Sequence, residues 1–206
     1  VVCRTERAVR VYWYDASGNL LYKIPIAFNG LPSPYSNDVK IFSSLDKAVP
    51  DFAAKKLYIK IDYYRENIDS DTNVSAGISY DKSCLYTFNI ETKRYERKID
   101  IAPYEDTENT SAGVRHFKKV YSLLGVTANN WCFLTTPRPD GYILELIDMR
   151  SNKIYTRTLT VSADELAYNA FYLSPDGILS AVLAGNEQAE MVWWRTNEIT
   201  GASKNE

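Results

Sequence analysis

Histidine is almost missing from these 206 residues: His116 is the only one. A multi-histidine zinc site therefore cannot be assembled from this chain alone, and a nucleophilic triad would have to be built around that single imidazole. Cysteine is also scarce. Cys3, Cys84 and Cys132 are odd in number and far apart, with no CxxC pair. They read as buried strand thiols, with a disulfide between two of them as the alternative, so cysteine usage leaves the compartment open. No apolar run approaches the ~18 residues of a membrane-crossing helix. No charged segment followed by an apolar one opens the chain, so no signal peptide is visible. It starts at Val1 without an initiator Met, which reads as a processed chain or a piece of a longer one. Charge of one sign is lacking too: a formal net charge of −2 gives no general pull toward nucleic acid or anionic membranes. A Gly-rich phosphate loop, a Ser-nucleophile elbow and an HExxH helix are all absent.

What is abundant is aromatic. The chain carries 16 Tyr, 4 Trp and 7 Phe, a bias toward rings that suits the pleated, half-buried surface of strands. These residues fall into a hairpin written several times. Val11-Tyr12-Trp13-Tyr14-Asp15 passes through Ala16-Ser17-Gly18-Asn19 into Leu20 to Ile24. Leu85 to Asn89 passes through Ile90-Glu91-Thr92-Lys93 into Tyr95 to Ile99. Ile143 to Asp148 turns at Arg150-Ser151-Asn152-Lys153 into Ile154 to Val161. Met191 to Arg195 opens a fourth copy whose second strand is missing. Units of this size imply a stacked or radial β architecture, because none can bury its apolar face alone.

Turn chemistry orders the rest. Ser174-Pro175-Asp176-Gly177 joins a strand at 170–173 to one at 178–183, and Ala184 to Gln188 turns into a third at 190–195. Strands are expected at 120–126, 131–135, 142–148 and 153–161, with Pro137 and Pro139 excluding the intervening connection from a central strand. Residues 57–64 form a strand with polar Lys60 and Asp62, followed by a polar excursion from Arg65 to Ser75. A partner strand is expected within 39–49. Thr5-Glu6-Arg7 reads as a turn, and residues 27–38 and 102–114 as the principal loops. Ser162 to Ala167 alone resembles a helix start, a Ser cap followed by acidic residues, and reads as one turn or as a loop leading into the last unit.

Four-stranded meanders, the Ser174-Pro175-Asp176-Gly177 turn and an aromatic third strand together resemble blades of a β-propeller. The resemblance is to the C-terminal half of divergent WD-repeat and NHL-like propellers of bacterial type, and it covers nearly the whole chain. No Gly-His opens a blade and no Trp-Asp closes a third strand; Tyr14-Asp15, Phe88-Asn89, Ile147-Asp148 and Trp194-Arg195 stand there instead. The resemblance implies an all-β fold of about three to four blades out of a ring of six to eight. Residues 1–26 would end one blade, 39–101 and 117–161 would form two, and 168–199 a final incomplete one. The missing strands would come from upstream residues or another chain, since an unfinished sheet exposes edges that proteins avoid. An extracytoplasmic setting follows only from this resemblance.

Function is expected to be non-enzymatic: a scaffold whose loops bind a protein partner. The alternative is a propeller enzyme or carbohydrate-binding domain whose central-channel site is completed by blades outside this chain. No catalytic, cofactor-binding or metal-binding residue is assigned, and no cofactor is expected. Several features resemble sites. His116 is expected to be a loop or strand-edge residue without a chemical role. Asp69-Ser70-Asp71-Thr72-Asn73 alternates oxygen ligands like a calcium loop, but Val74 and Tyr80 stand where Gly and Glu are needed. Glu105, Asp106 and Glu108 read as a charged surface loop. Asn73-Val74-Ser75 and Asn109-Thr110-Ser111 fit glycosylation acceptors. Lys93, Tyr95 and Arg97 are expected on one strand face and Arg94, Glu96 and Lys98 on the other, a charged outer strand rather than a nucleic-acid surface. Trp13, Trp193 and Trp194 are expected to pack between blades, with sugar stacking as the rival.

Overall fold

The computed structural model describes residues 2–4, 8–27, 41–68, 71–72, 75–111, 113–138, 141–160, 170–184 and 189–200. The expected turn at Thr5 to Arg7, the loop carrying Gly30, Pro32 and Pro34, and the helix start at Ser162 to Ala167 lie outside them. The described chain is all-β, built from antiparallel sheets in which neighbours in sequence pair. Each sheet is an open one with two edges. Two compact units divide it: Val1–Pro103 with Thr107–Lys118, and Tyr104–Asp106 with Lys119–Glu206.

In the first unit, β1 (Val2–Arg4), β2 (Ala8–Tyr14) and β3 (Leu20–Ala27) form a three-stranded meander. β4 (Ile41–Asp51), β5 (Lys56–Ile68), β6 (Ser75–Asn89) and β7 (Arg94–Ile101) form a four-stranded one. Alternation decides what meets between them. Val11 and Trp13 of β2 join Leu57, Ile59, Ile61 and Tyr63 of β5 and Tyr86 and Phe88 of β6 in one buried cluster. The polar excursion expected from Arg65 to Ser75 is strand at both ends: β5 runs to Ile68, β6 starts at Ser75, and Arg65↔Ser79 and Asn67↔Gly77 pair across them. Backbone pairing does not require apolar side chains, so a polar stretch can extend a hairpin whose root is already fixed.

β8 (Tyr104–Thr110) and β9 (Gly113–Lys119) pair as a two-stranded sheet, so most of the loop expected at 102–114 is a hairpin. In the second unit, β10 (Ser122–Val126), β11 (Trp131–Arg138), β12 (Gly141–Asp148) and β13 (Ile154–Thr160) make a four-stranded meander. β14 (Ala170–Leu173), β15 (Ile178–Ala184) and β16 (Ala189–Arg195) make a three-stranded one, followed by the single turn α1 (Thr196–Thr200). Their shared core holds Phe133, Leu144, Leu146, Leu179 and Ile199, with Leu173 and Trp194 packed against it. Pro137 does lie in β11, a central strand, contrary to expectation. Pairing with β10 ends at Ser122↔Thr135, so among the described residues Pro137 pairs only with Tyr142 of β12, and the Lys119 ammonium donates to its carbonyl at 3.3 Å.

Three hairpins turn in the same way. Asp15 accepts hydrogen bonds from the Ser17 and Asn19 amides at 2.9 and 2.8 Å. Asn89 accepts from those of Glu91 and Thr92, both at 3.0 Å, and Asp148 from that of Arg150 at 2.9 Å. Each turn then uses a positive φ, at Gly18, Lys93 and Asn152. An Asx acceptor followed by a left-handed residue is the local code for reversal. Arg195 stands at the corresponding point after β16 and cannot accept; there the Glu198 carboxylate takes the Arg195 amide at 2.9 Å and a helical turn follows.

Candidate functional site

Charge is concentrated in one interior place, on β5. Tyr58, Lys60 and Asp62 lie on the face opposite the Leu57-Ile59-Ile61 core, and Lys60 has no exposed surface. Its ammonium donates to Asp62 Oδ1 at 2.5 Å and pairs with Asp46 Oδ2 at 3.2 Å. Asp46 gets there through a bulge. Leu45 pairs with Ile61 and Lys47 with Lys60, so Asp46 is the extra residue in β4 and its side chain is released toward β5. Ser83, directly across from Asp62, donates to the same carboxylate at 2.5 Å, which leaves Tyr80 to donate to Ser83 at 2.6 Å. Burial raises the Asp62 pKa, and the bonds from Lys60 and Ser83 offset that only in part.

A buried ion pair completed by hydroxyl donors satisfies every charge it contains, which is what such groups need away from water. Lys60 is enclosed and doubly paired, so its nitrogen is not available as a base or nucleophile. On the opposite face the Tyr63 and Tyr86 hydroxyls meet at 2.7 Å, and burial pushes Tyr63 up to about 12. Burial likewise pushes the Cys84 thiol up to about 12, toward an inert thiol. Cys84 and Cys132 are buried thiols. In the second unit, Glu145 of β12 is buried on the side away from the Phe133-Leu144 core, and desolvation raises its pKa despite a bond from Tyr121.

The features singled out in the sequence do not converge. His116 is exposed on β9. Asp71 and Thr72 sit in an exposed turn, whereas Asp69, Ser70, Asn73 and Val74 lie outside the described residues. Glu105 is exposed on β8, and Asp106 pairs with Lys119 at 2.9 Å. Glu108 and Asn109 are on β8 too, rather than on a loop. The expected face pattern of β7 fails at a bulge. Phe88 pairs with Tyr95 and Thr87 with Arg97, so Glu96 is the extra residue and Tyr95 shares a face with Lys98 instead of Arg97. Tyr95 packs edge-on against Phe88 and Tyr86, and Glu96 pairs with Lys56 at 3.1 Å. The basic cluster is thereby divided among partners and faces. Among the described residues no group of three or more His, Cys, Asp or Glu is placed to hold a metal ion, and no helix is long and apolar enough to cross a membrane.

The three tryptophans separate. Trp13 is buried edge-on to Phe52 at 4.7 Å, and Trp194 packs against the second core. Trp193 points the other way. Cross-strand pairs Tyr172↔Ser180↔Trp193 and Val182↔Met191 gather one face of β14–β16, on which Tyr172 is 66% exposed, Met191 70% and Trp193 55%. The Arg195 guanidinium lies 5.8 Å from the Trp193 ring centroid. Single exposed apolar residues are ordinary; four on one sheet face, Val182 included, make a patch. At the end of the same sheets, a groove of about 500 Å³ runs between the β10–β11 and β14–β15 connections and the start of α1. The chain matches no protein-family model and no curated protein.

Proposed function

We propose that this chain is a non-enzymatic scaffold, an arc of a divergent β-propeller, which binds a protein partner. The observation that carries the reading is the outer face of β14–β16, where Tyr172, Val182, Met191 and Trp193 are exposed together. The inner face of this sheet is covered by a neighbouring sheet in the second unit, and β2 meets β5 face to face in the first. The occupant that fits the outer face by the same logic is a further antiparallel sheet with an apolar aromatic side, contributed by another chain. The enclosed, fully paired Lys60 network supports a structural rather than catalytic use of the chain's buried charge.

Sedimentation velocity on the purified chain tests this, with a second copy as the available partner. The wild type is expected to associate as concentration rises, and the double variant Met191→Asp, Trp193→Asp to stay monomeric with an unchanged Tm. A wild type that remains monomeric at the highest soluble concentration overturns the reading, as does a double variant that associates equally well.

A further inference from the structure

The groove in the second unit has a chemistry that the scaffold reading does not use. Its walls come from three connections held in fixed relation. The Ala128 amide donates to the Pro175 carbonyl at 2.9 Å, and the Thr196 amide and hydroxyl both donate to the Gly177 carbonyl, at 3.1 and 2.7 Å. Gly177 is required there: its φ is +93°, and a Cβ would meet Thr196 Oγ1 at 2.5 Å. A site whose walls are already cross-tied loses little freedom when it binds.

Trp131 lines this groove, half-buried, with its ring 5.6 Å from that of Tyr155 and its inner side against the core. Around it stand Asn129, Asp176 and Asn197, with Arg195 at the rim, its guanidinium 5.8 Å from the Trp193 ring. The set contains amide donors and acceptors and one carboxylate, with the Arg195 charge at the rim to balance it. Ser174 holds one Asp176 oxygen and the Glu198 amide holds the Asn197 oxygen, which fixes both groups. A rigid indole beside such planar amide and carboxylate groups is complementary to a pyranose, which offers a C–H face and a ring of vicinal hydroxyls. A volume of about 500 Å³ is in the range of small-molecule sites and admits one or two sugar rings. Phosphate or carboxylate ligands would meet the Asp176 charge, and a purely apolar ligand would strand the polar rim.

We propose that this groove binds a neutral saccharide, with Trp131 as the stacking surface and Asn129 and Asp176 as hydrogen-bonding residues. The site meets the outer face of β14–β16 only at Arg195, which the proposed sugar contacts do not use. Ligand-observed saturation-transfer NMR on the purified chain tests it. The probes are glucose, galactose, mannose, N-acetylglucosamine and their β1,4-linked disaccharides, with glycine and arginine as charged controls. At least one sugar should receive saturation at about 10 mM, the affinity expected of a single shallow subsite. Asn129→Ala and Asp176→Ala should each weaken it about tenfold or more, a change that converts to about 1.4 kcal/mol, with Tm retained for Asn129→Ala. Asn129 is exposed and outside the core, so its variant keeps the test open if Asp176→Ala disturbs the turn. Absence of transfer to every sugar overturns the proposal. So does binding that both variants leave intact, or transfer confined to the amino acids.

Discussion

Lys60 is tolerated inside the protein because two carboxylates reach its nitrogen, one from its own strand and one from a bulge on the next. Removing one side of such an arrangement is worse than removing both. Lys60→Met would leave Asp62 buried without its cation and is expected to cost about 3–5 kcal/mol in urea unfolding. Lys60→Met with Asp62→Leu should recover most of that loss, since neither charge then remains buried. Equal destabilisation by the single and double variants would contradict this. Glu145 makes a pH prediction. Burial holds its folded-state pKa above the ordinary 4.5, so the folded chain binds this proton more tightly than the unfolded one. Its contribution is fully present below pH 4.5 and is lost as pH rises through the raised folded value. Relative to Glu145→Gln, which cannot ionise, the wild type should therefore lose stability from acid pH toward neutrality; a flat difference would refute it. Of these two sites, Lys60 and Asp62 were visible as polar residues two apart on a strand. That spacing reads equally as a water-facing side, and the reach of Asp46 depended on a bulge that no residue pattern announces.

At the scale of elements, hairpins were legible wherever side chains code the reversal. Asp15, Asn89 and Asp148 each accept amide protons of the turn that follows, and Ser174-Pro175-Asp176-Gly177 closes with the Gly177 amide on the Ser174 carbonyl at 3.1 Å. Turn chemistry is local, so it survives in the sequence. Strand length and facing were less legible. The polar ends of β5 and β6 pair without an apolar pattern to mark them, through backbone and polar contacts such as Ser79 to Asn67 at 3.4 Å, and the bulge at Glu96 reassigns Tyr95 to the other face. The cross-tied β14–β15 turn carries its own prediction. Gly177→Ala combines a disfavoured φ with a contact on Thr196, and is expected to cost about 1–3 kcal/mol. Thermal unfolding measures it, and a variant as stable as wild type would mean that the turn is not held as described.

Across the whole molecule, two compact units each pair one meander sheet with another through an aromatic and aliphatic core. The all-β class and the antiparallel meanders could be read from alternation and turns. The candidate sites could not, because both the groove and the exposed face of β14–β16 bring together residues far apart in sequence. Trp193 and Trp194 show the difficulty: adjacent rings on one strand face opposite ways, and only the position of the sheet determines which one is covered. The proposed seat for another sheet on the outer face of β14–β16 is tested most directly by photo-cross-linking from that face. With Tyr172→benzoylphenylalanine in the purified chain, irradiation should join position 172 to strand residues of a second chain, and the additional change Trp193→Asp should abolish the product. Cross-links formed only within the same chain, or none beyond those from the same probe at exposed Glu105, would contradict it.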